Sequence, residues 1–167
     1  MADLEGIMQL IEEGRKKMIA QGNLHQWTKG HPSRELIEND IRRQCSYVMT
    51  VEAENNSLSS HQGERMVATF ALVQGPDPTY AEIYEGAWLN DRPYYVIHRV
   101  ASAPGVRGVM RAILDYAFAK TDTIRVDTHT DNLTMQNLLR KYGFEYCGVI
   151  HLANGDPRLA FQKTGQL

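Results

Sequence analysis

The chain has 167 residues, the size of a single domain, and we expect one domain over residues 1–167. Its 18 basic and 20 acidic residues give a net charge of −2, which argues against a nucleic-acid-binding protein because such proteins usually carry a large basic excess. No apolar run approaches the ~20 residues of a membrane span, and the amphipathic N-terminus is unlike a signal peptide. We therefore expect a cytoplasmic protein with no nucleic-acid or membrane partner, in which Cys45 and Cys147 are free thiols.

Two helices are predicted first. Apolar residues recur at helical spacing from Leu4 to Met18, and Gly22 ends the pattern. Ser33 then lies in position to cap a second helix, whose apolar face is formed by Leu36, Ile37 and Ile41.

Four strands are predicted next, because β-branched and aromatic residues alternate with polar ones between turn signals. They are SYVMTVEA (46–53), RMVATFALV (65–73), AEIYEGAWL (81–89) and YYVIHRVA (94–101). The polar segment 54–64 is predicted to connect the first two as a hairpin.

The second half alternates between helices and strands. A helix follows residue 108, then the strand TIRVDTH (123–129), then a helix over DNLTMQNLLRKY that Gly143 closes. The segments FEYCGVIHL and PRLAFQKT form a last hairpin. This order predicts an α/β fold with one mixed sheet and helices packed on its faces.

The corner between the fourth strand and the third helix combines glycines with positive charge: Gly105, Arg107, Gly108 and Arg111. A helix N-terminus presents unpaired N–H groups and about half a positive charge, so this corner is typical of a pyrophosphate site. The alternative is a turn whose glycines serve geometry alone.

A second alternative is a dinucleotide-binding fold, since Asp127 ends a strand about 20 residues after Gly108. The required G-x-G-x-x-G is missing, because the chain has G-V-R-G-V-M here. Four strands also precede a unit that normally opens its domain. We therefore set the nicotinamide hypothesis aside.

The segment from Tyr94 to Lys163 resembles the GNAT superfamily of acyl-CoA-dependent N-acetyltransferases. The motifs that carry the resemblance are HRVASAPGVRGVMRAILDYAF, IRVDTHTDNLTMQNLLRKYGF and the hairpin YCGVIHLANGDPRLAFQK. The resemblance implies a splayed, mostly antiparallel sheet of six to seven strands flanked by about four helices. It also implies that coenzyme A fills the gap between the fourth and fifth strands.

For this chain the resemblance implies acetyl-CoA as the acyl donor and no metal. Pantetheine is expected along Val100 and Ala101 and against Asn132. The pyrophosphate is expected on the loop and helix start, at Gly105, Val106, Arg107, Gly108, Val109, Met110 and Arg111.

The chain departs from the family pattern at two places. Only the middle glycine of the family loop survives, at Gly108, and Met110 is expected to crowd the helix start. The tyrosine that often protonates the leaving thiolate falls on Leu139. Tyr142 is a candidate donor three residues on, although its place on the apolar stripe favours a core aromatic.

Candidates for the base come from the strands. Glu85 shares a predicted strand face with apolar residues, where burial raises a carboxyl pKa, so it is a candidate for catalysis or amine binding; a salt bridge is the alternative. His98 alternates with valines, and we interpret it as a core histidine rather than a base. We interpret Asp131 as a helix cap, leave His129 unassigned, and place Trp27 either in the acceptor pocket or in the core.

The predicted function is transfer of an acetyl group from acetyl-CoA to a primary amine of a small molecule or peptide, by direct attack in a ternary complex. One alternative is an acyl-CoA-binding or sensing module with weak turnover, as Met110 and Leu139 would favour. Another is an interaction protein that retains the fold without coenzyme A. The resemblance is compatible with a homodimer.

Overall fold

The computed structural model describes residues 1–28, 30–52 and 63–165. Within these ranges the helices are α1 (Leu4–Ala20), α2 (Arg34–Arg42), α3 (Val109–Phe118) and α4 (Leu133–Lys141). The strands are β1 (Ser46–Glu52), β2 (Glu64–Gln74), β3 (Tyr95–Ser102), β4 (Thr123–Thr128), β5 (Glu145–His151) and β6 (Pro157–Thr164).

Local signals at the helix ends behave largely as predicted. The Ser33 hydroxyl accepts a hydrogen bond from the Leu36 N–H at 3.2 Å, which confirms the cap of α2. Gly143 follows α4 with a φ of +78°, as expected for the residue after a helix. The prediction that Asp131 caps α4 is wrong, because the Asn132 side chain accepts the hydrogen bond from the Met135 N–H.

The sheet has the strand order β1-β2-β3-β4-β6-β5, and all neighbours are antiparallel except β3 and β4. The parallel pair is joined only near its start, at Tyr95 with Ile124 and Val96 with Arg125. Beyond these pairs β3 and β4 no longer pair with each other, so the sheet opens between them. The mixed α/β fold and its splayed sheet are thus confirmed.

The predicted strand over residues 81–89 is wrong, and the splay therefore lies between the third and fourth strands. A 3-10 turn, Pro78–Tyr80, leads instead into a loop that touches the sheet at one bridge, Tyr84 with Val149. Trp88 anchors the loop to the rest of the fold. Its ring stacks on Tyr80 at 5.3 Å and on the Arg125 guanidinium at 4.0 Å. The apolar alternation reflects these separate anchors rather than a strand face. Most of the predicted hairpin 54–64 lies outside the described residues.

The two faces of the sheet are covered differently. Helices α3 and α4 cover one face and form the main core around Ile113, Leu114 and Leu139. On the other face, α1 and α2 pack at one end and the 75–90 loop at the other, around Tyr80. This second face is open between its two covers, over the point where β3 and β4 part.

No helix in the described ranges combines the length and apolarity that crossing a bilayer requires. Cys45 and Cys147 are both buried and free, as predicted.

Candidate active site

A β-bulge interrupts β3 where the sheet opens. His98 pairs with Ala71 and Ala101 pairs with Thr69, so two residues of β3 face one of β2. Arg99 accommodates the extra residue with a φ of +54°. Because a bulge leaves backbone groups outside the ladder, we expect main-chain groups of Arg99 and Val100 to be available where the sheet opens.

The loop before α3 presents free main-chain donors. The N–H groups of Gly105 and of residues 107–111 donate to no acceptor in the part of the chain that the structure describes. Gly108 caps α3 with a φ of +78°, and a Cβ built there meets no atom within 4 Å. The helix start is therefore open to an anion that approaches the backbone.

The arginines of this corner differ in what they contribute. Arg107 is exposed beside the free amides. Arg111 is also exposed, but its Nε donates to both carboxylate oxygens of Asp115, at 3.0 and 2.9 Å, one turn along α3. Part of the Arg111 charge predicted for the anion is thus shared with Asp115.

A channel of about 120 Å³ leads from the start of α3 into the gap. Val100, Ala101 and Ser102 form one wall, and Asn132, which caps α4, forms part of another together with Met135 of that helix. Helix α1 lies close to β3 because Gly14 has no side chain: an added Cβ would lie 3.2 Å from the Ala101 Cβ and 3.1 Å from the Trp27 ring.

Met110, which we expect to crowd the helix start, is the second residue of α3. Met110 is 5% exposed and belongs to the main core, on the face of the sheet that α3 and α4 cover. Its side chain borders the channel. Asn132 lies where the channel meets a second cavity. Its Nδ2 donates to Gln26 Oε1 at 2.8 Å, tying α4 to the segment after α1.

The second cavity, of about 260 Å³, lies deeper in the gap and shares Met18, Val100, Asn132 and Met135 with the channel. Trp27 contributes to its wall, as one of the two interpretations of this residue proposed. Its polar lining includes His98, Asp77, Asp127, Arg99 and Arg158.

His98 lies between the two carboxylates of this cavity. Its Nε2 is 3.2 Å from Asp77 Oδ2, and its Nδ1 is 3.7 Å from Asp127 Oδ1. Asp77 also accepts hydrogen bonds from the Thr79 N–H and hydroxyl, and Asp127 accepts one from the Tyr80 hydroxyl at 2.6 Å. The prediction that His98 is a core histidine is wrong, because its 19% exposed side chain faces the cavity.

The protonation state of Asp77 fixes the orientation of His98. Burial alone raises the pKa of Asp77, but hydrogen bonds from His98 and Thr79 outweigh it and lower the pKa to about 2. Asp77 is therefore an ionised acceptor at neutral pH, and we assign the proton of the neutral imidazole to Nε2. Nδ1 is then left as an acceptor toward the cavity.

We expect Asp77→Asn to lower the free energy of unfolding by about 2 kcal/mol at pH 7, the equivalent of the depressed pKa. The native pKa lies below the unfolded one, so this stabilisation is complete above pH ~4 and is lost as the pH falls through about 2. Urea unfolding of both proteins between pH 7 and pH 2 measures the difference. A difference that did not shrink toward acid pH would contradict the ionised pairing.

His25, His129 and Asp131 form a cluster next to the cavity-lining residues Gln26 and Asn132 in the sequence. Asp131 Oδ2 is 2.8 Å from His25 Nδ1 and 3.4 Å from His129 Nδ1. Burial, followed by the charge of Arg158, lowers the pKa of His129. His25 is largely exposed, so we interpret the cluster as a polar rim that joins the segment after α1 to β4.

Two predicted catalytic residues lie outside this arrangement. Glu85 is exposed on the 75–90 loop with a φ of +57°, and the apolar strand face that motivated its role does not exist. Tyr142 follows α4 and packs against the main core, as its position on the apolar stripe indicated. Leu139 is fully buried.

Sequence reasoning missed Asp77 and Arg158 as functional candidates, and it considered His98 but set it aside as a core histidine. Asp77 lies in a turn, Arg158 at the start of β6 and His98 within β3, and only the tertiary fold brings the three together. The signal for Asp77 was the segment GPDPTY, where an aspartate between prolines is typical of an ordered turn. For His98 it was its place three residues before Ala101 on the strand expected to bind the donor.

Comparison with family models finds no match, and comparison with curated proteins finds none either. Among solved structures, an acetyltransferase of the GNAT family from Streptococcus agalactiae 2603 is 34% identical, with 99% of this chain and 91% of that chain covered and a TM-score of 0.80. A ribosomal-protein-alanine N-acetyltransferase from Brucella melitensis is 18% identical over 98% of this chain and 94% of its own, with a TM-score of 0.57. The NatC complex bound to Gag peptide and CoA aligns at 14% identity, over 93% and 90%, with a TM-score of 0.56. At these identities the last two show the fold alone.

Proposed function

Because this chain belongs to the GNAT family of acetyltransferases, we propose that it transfers an acetyl group from acetyl-CoA to a primary amine by direct attack in a ternary complex. The observation that carries the proposal is the continuity of the site. Free amides at the start of α3 open into the channel, and the channel opens into a cavity lined by His98 and two carboxylates.

The residues at the start of α3 fit the diphosphate of acetyl-CoA. Orphan N–H groups at residues 107–111 offer donors, and Gly105 and Gly108 leave the space in which a Cβ would stand. Val100, Ala101 and Asn132 would then hold the pantetheine arm in the channel. Bound acetyl-CoA supplies a thioester that an amine can attack.

The bulge in β3 supports the acyl-transfer step. Main-chain N–H groups displaced from the ladder near Arg99 and Val100 can donate to the acyl oxygen as negative charge develops there. Holding the thioester and the amine in the correct orientation can lower the activation barrier by up to roughly 7–11 kcal/mol. Few catalytic side chains are therefore needed.

His98 is the proposed general base. A neutral amine is required for attack, and the Nδ1 left free by the His98–Asp77 hydrogen bond can take up the amine proton. Asp77 positions the imidazole, and Asp127 offers a carboxylate to the ammonium form of the substrate as it enters. No strand face supports the same role for exposed Glu85.

The alternative is a module that binds acyl-CoA with weak turnover, and the fully buried Leu139 favours it. This position lacks the hydroxyl that would protonate a leaving thiolate. The partly buried Tyr142 packs against the core and does not replace that donor.

The test is a thiol-release assay with acetyl-CoA and a broad set of primary amines, including peptides, combined with calorimetric titration of coenzyme A. We expect amine-dependent thiol release, with mass spectrometry showing the acetylated amine. Micromolar binding of coenzyme A with no release on any amine would favour the binding module. Failure to bind coenzyme A would overturn both.

A further inference from the structure

Arg158 gives the cavity a second binding element beside the carboxylates around His98. Building on the proposed function, we propose that the acceptor is a small amine that also carries an anionic oxyacid group, a carboxylate or a phosphate, and that Arg158 binds this group. The acceptor is thus a zwitterion of amino-acid size rather than a simple amine.

Arg158 is a buried cation without a full partner among the described residues. Its side chain is 5% exposed and lines the cavity. Nη1 donates to the carbonyl of the adjacent Pro157 at 2.9 Å. The carboxylate of Asp156 lies 3.9 Å from Nη2, beyond hydrogen-bond distance, and is half exposed. Since buried charges are normally paired, the remaining donors of Arg158 are suited to an anion that enters the cavity.

Two other buried arginines show how this chain compensates such charges elsewhere. Arg99 Nε lies 2.7 Å from Asp40 Oδ2, although out of line for a hydrogen bond. Arg125 is held between the rings of Trp88 and Tyr94, at 4.0 and 3.9 Å, and donates to the Asn90 carbonyl. Within the described residues, Arg158 has neither a carboxylate within hydrogen-bond distance nor an aromatic ring stacked on its guanidinium, and it faces the cavity.

The anion and amine sites lie on one face of the sheet. Asp127 pairs with Ala160, and Arg158 precedes Ala160 by two residues on β6, so its side chain projects from the same face about 7 Å further along. Guanidinium and carboxylate therefore face one cavity of about 260 Å³ from backbone positions offset by about 7 Å along the strands. A molecule that spans them needs an ammonium and an anion separated by a short linker.

The guanidinium fork favours this chemistry over a neutral group. Two parallel N–H donors match the two oxygens of a carboxylate or phosphate, and such charge-assisted hydrogen bonds are among the stronger ones in proteins. In a peptide, the group next to the N-terminal amine is an uncharged amide, where a free amino acid has a carboxylate. A peptide acceptor is therefore an outcome that the test must distinguish.

The test compares matched acceptors by titration calorimetry in the presence of saturating coenzyme A. Glycine, β-alanine and 4-aminobutyrate are each paired with their primary amides, O-phosphoethanolamine with ethanolamine, and a dipeptide with its amide. We expect at least one acid, carboxylate or phosphate, to bind roughly ten- to hundredfold more tightly than its neutral partner. In Arg158→Gln the ratio should fall toward one, and Arg158→Lys should restore part of it.

The wild-type comparison decides the substrate class even if a variant folds poorly, and melting temperatures of the variants check their folding. Equal binding of acids and neutral partners, or tighter binding of the neutral ones, overturns the proposal. If folded Arg158→Gln still binds the acids more tightly than their neutral partners, Arg158 is not the residue that binds the anionic group. Thiol release on the same panel keeps the two proposals apart: turnover of neutral amines only would retain acetyl transfer and reject the zwitterionic acceptor.

Discussion

Gly108→Asp is expected to weaken acetyl-CoA binding by roughly a hundredfold while the protein stays folded. A carboxylate about 5 Å from a bound diphosphate costs around 3 kcal/mol in a partly screened site, and it also competes for the N–H groups at the start of α3. The backbone tolerates the change, because aspartate is among the residues that accept a φ of +78° and no atom lies within 4 Å of its Cβ. Calorimetric titration with acetyl-CoA measures the dissociation constant.

Gly108→Asn is the matched control. Asparagine has nearly the same size and the same tolerance of positive φ, but it carries no charge. Its effect on the dissociation constant should be less than tenfold, and both variants should melt close to the wild-type temperature. If the aspartate and asparagine variants bound equally well, the diphosphate would not lie at the start of α3.

The strongest sequence signals were local. Helix caps at Ser33 and Gly143, alternating apolar residues in β1 to β3 and the glycine-rich corner all reflect contacts between near neighbours. They allowed four helices and six strands to be placed, and the free amides at Gly108 followed from the corner alone.

What failed was decided by contacts distant in sequence. Residues 81–89 alternate like a strand, yet Trp88 is anchored on Tyr80 and Arg125, and β2 pairs directly with β3, so no strand lies between them. His98, Asp77 and Arg158 come from three separate parts of the chain and meet only because β3 and β4 diverge. Periodicity cannot report that divergence, so the same pattern that placed His98 on a strand suggested a core residue.

His98→Gln is expected to lower kcat by about a hundredfold or more, the usual contribution of a positioned general base. Glutamine can still hydrogen-bond Asp77 but cannot take up a proton near neutral pH, so the variant tests proton transfer rather than packing. The dissociation constant for acetyl-CoA should change little, because His98 lies in the deeper cavity and not at the start of α3.

The pH dependence separates His98 as a base from a structural role. In the wild type, kcat/KM for the amine should show a limb that depends on the general base, in addition to the rise that follows deprotonation of the amine itself, and only the base-dependent limb should disappear in His98→Gln. The control is His151→Gln, which replaces an exposed histidine on β5 that packs edge-to-face against Tyr84. In His151→Gln, kcat and the base-dependent limb of the pH profile should be the same as in the wild type. If His98→Gln kept both the wild-type rate and the base-dependent limb, His98 would not be the base. The role would then pass to Asp127, the other carboxylate beside the His98 ring, and Asp127→Asn should show the loss of kcat instead.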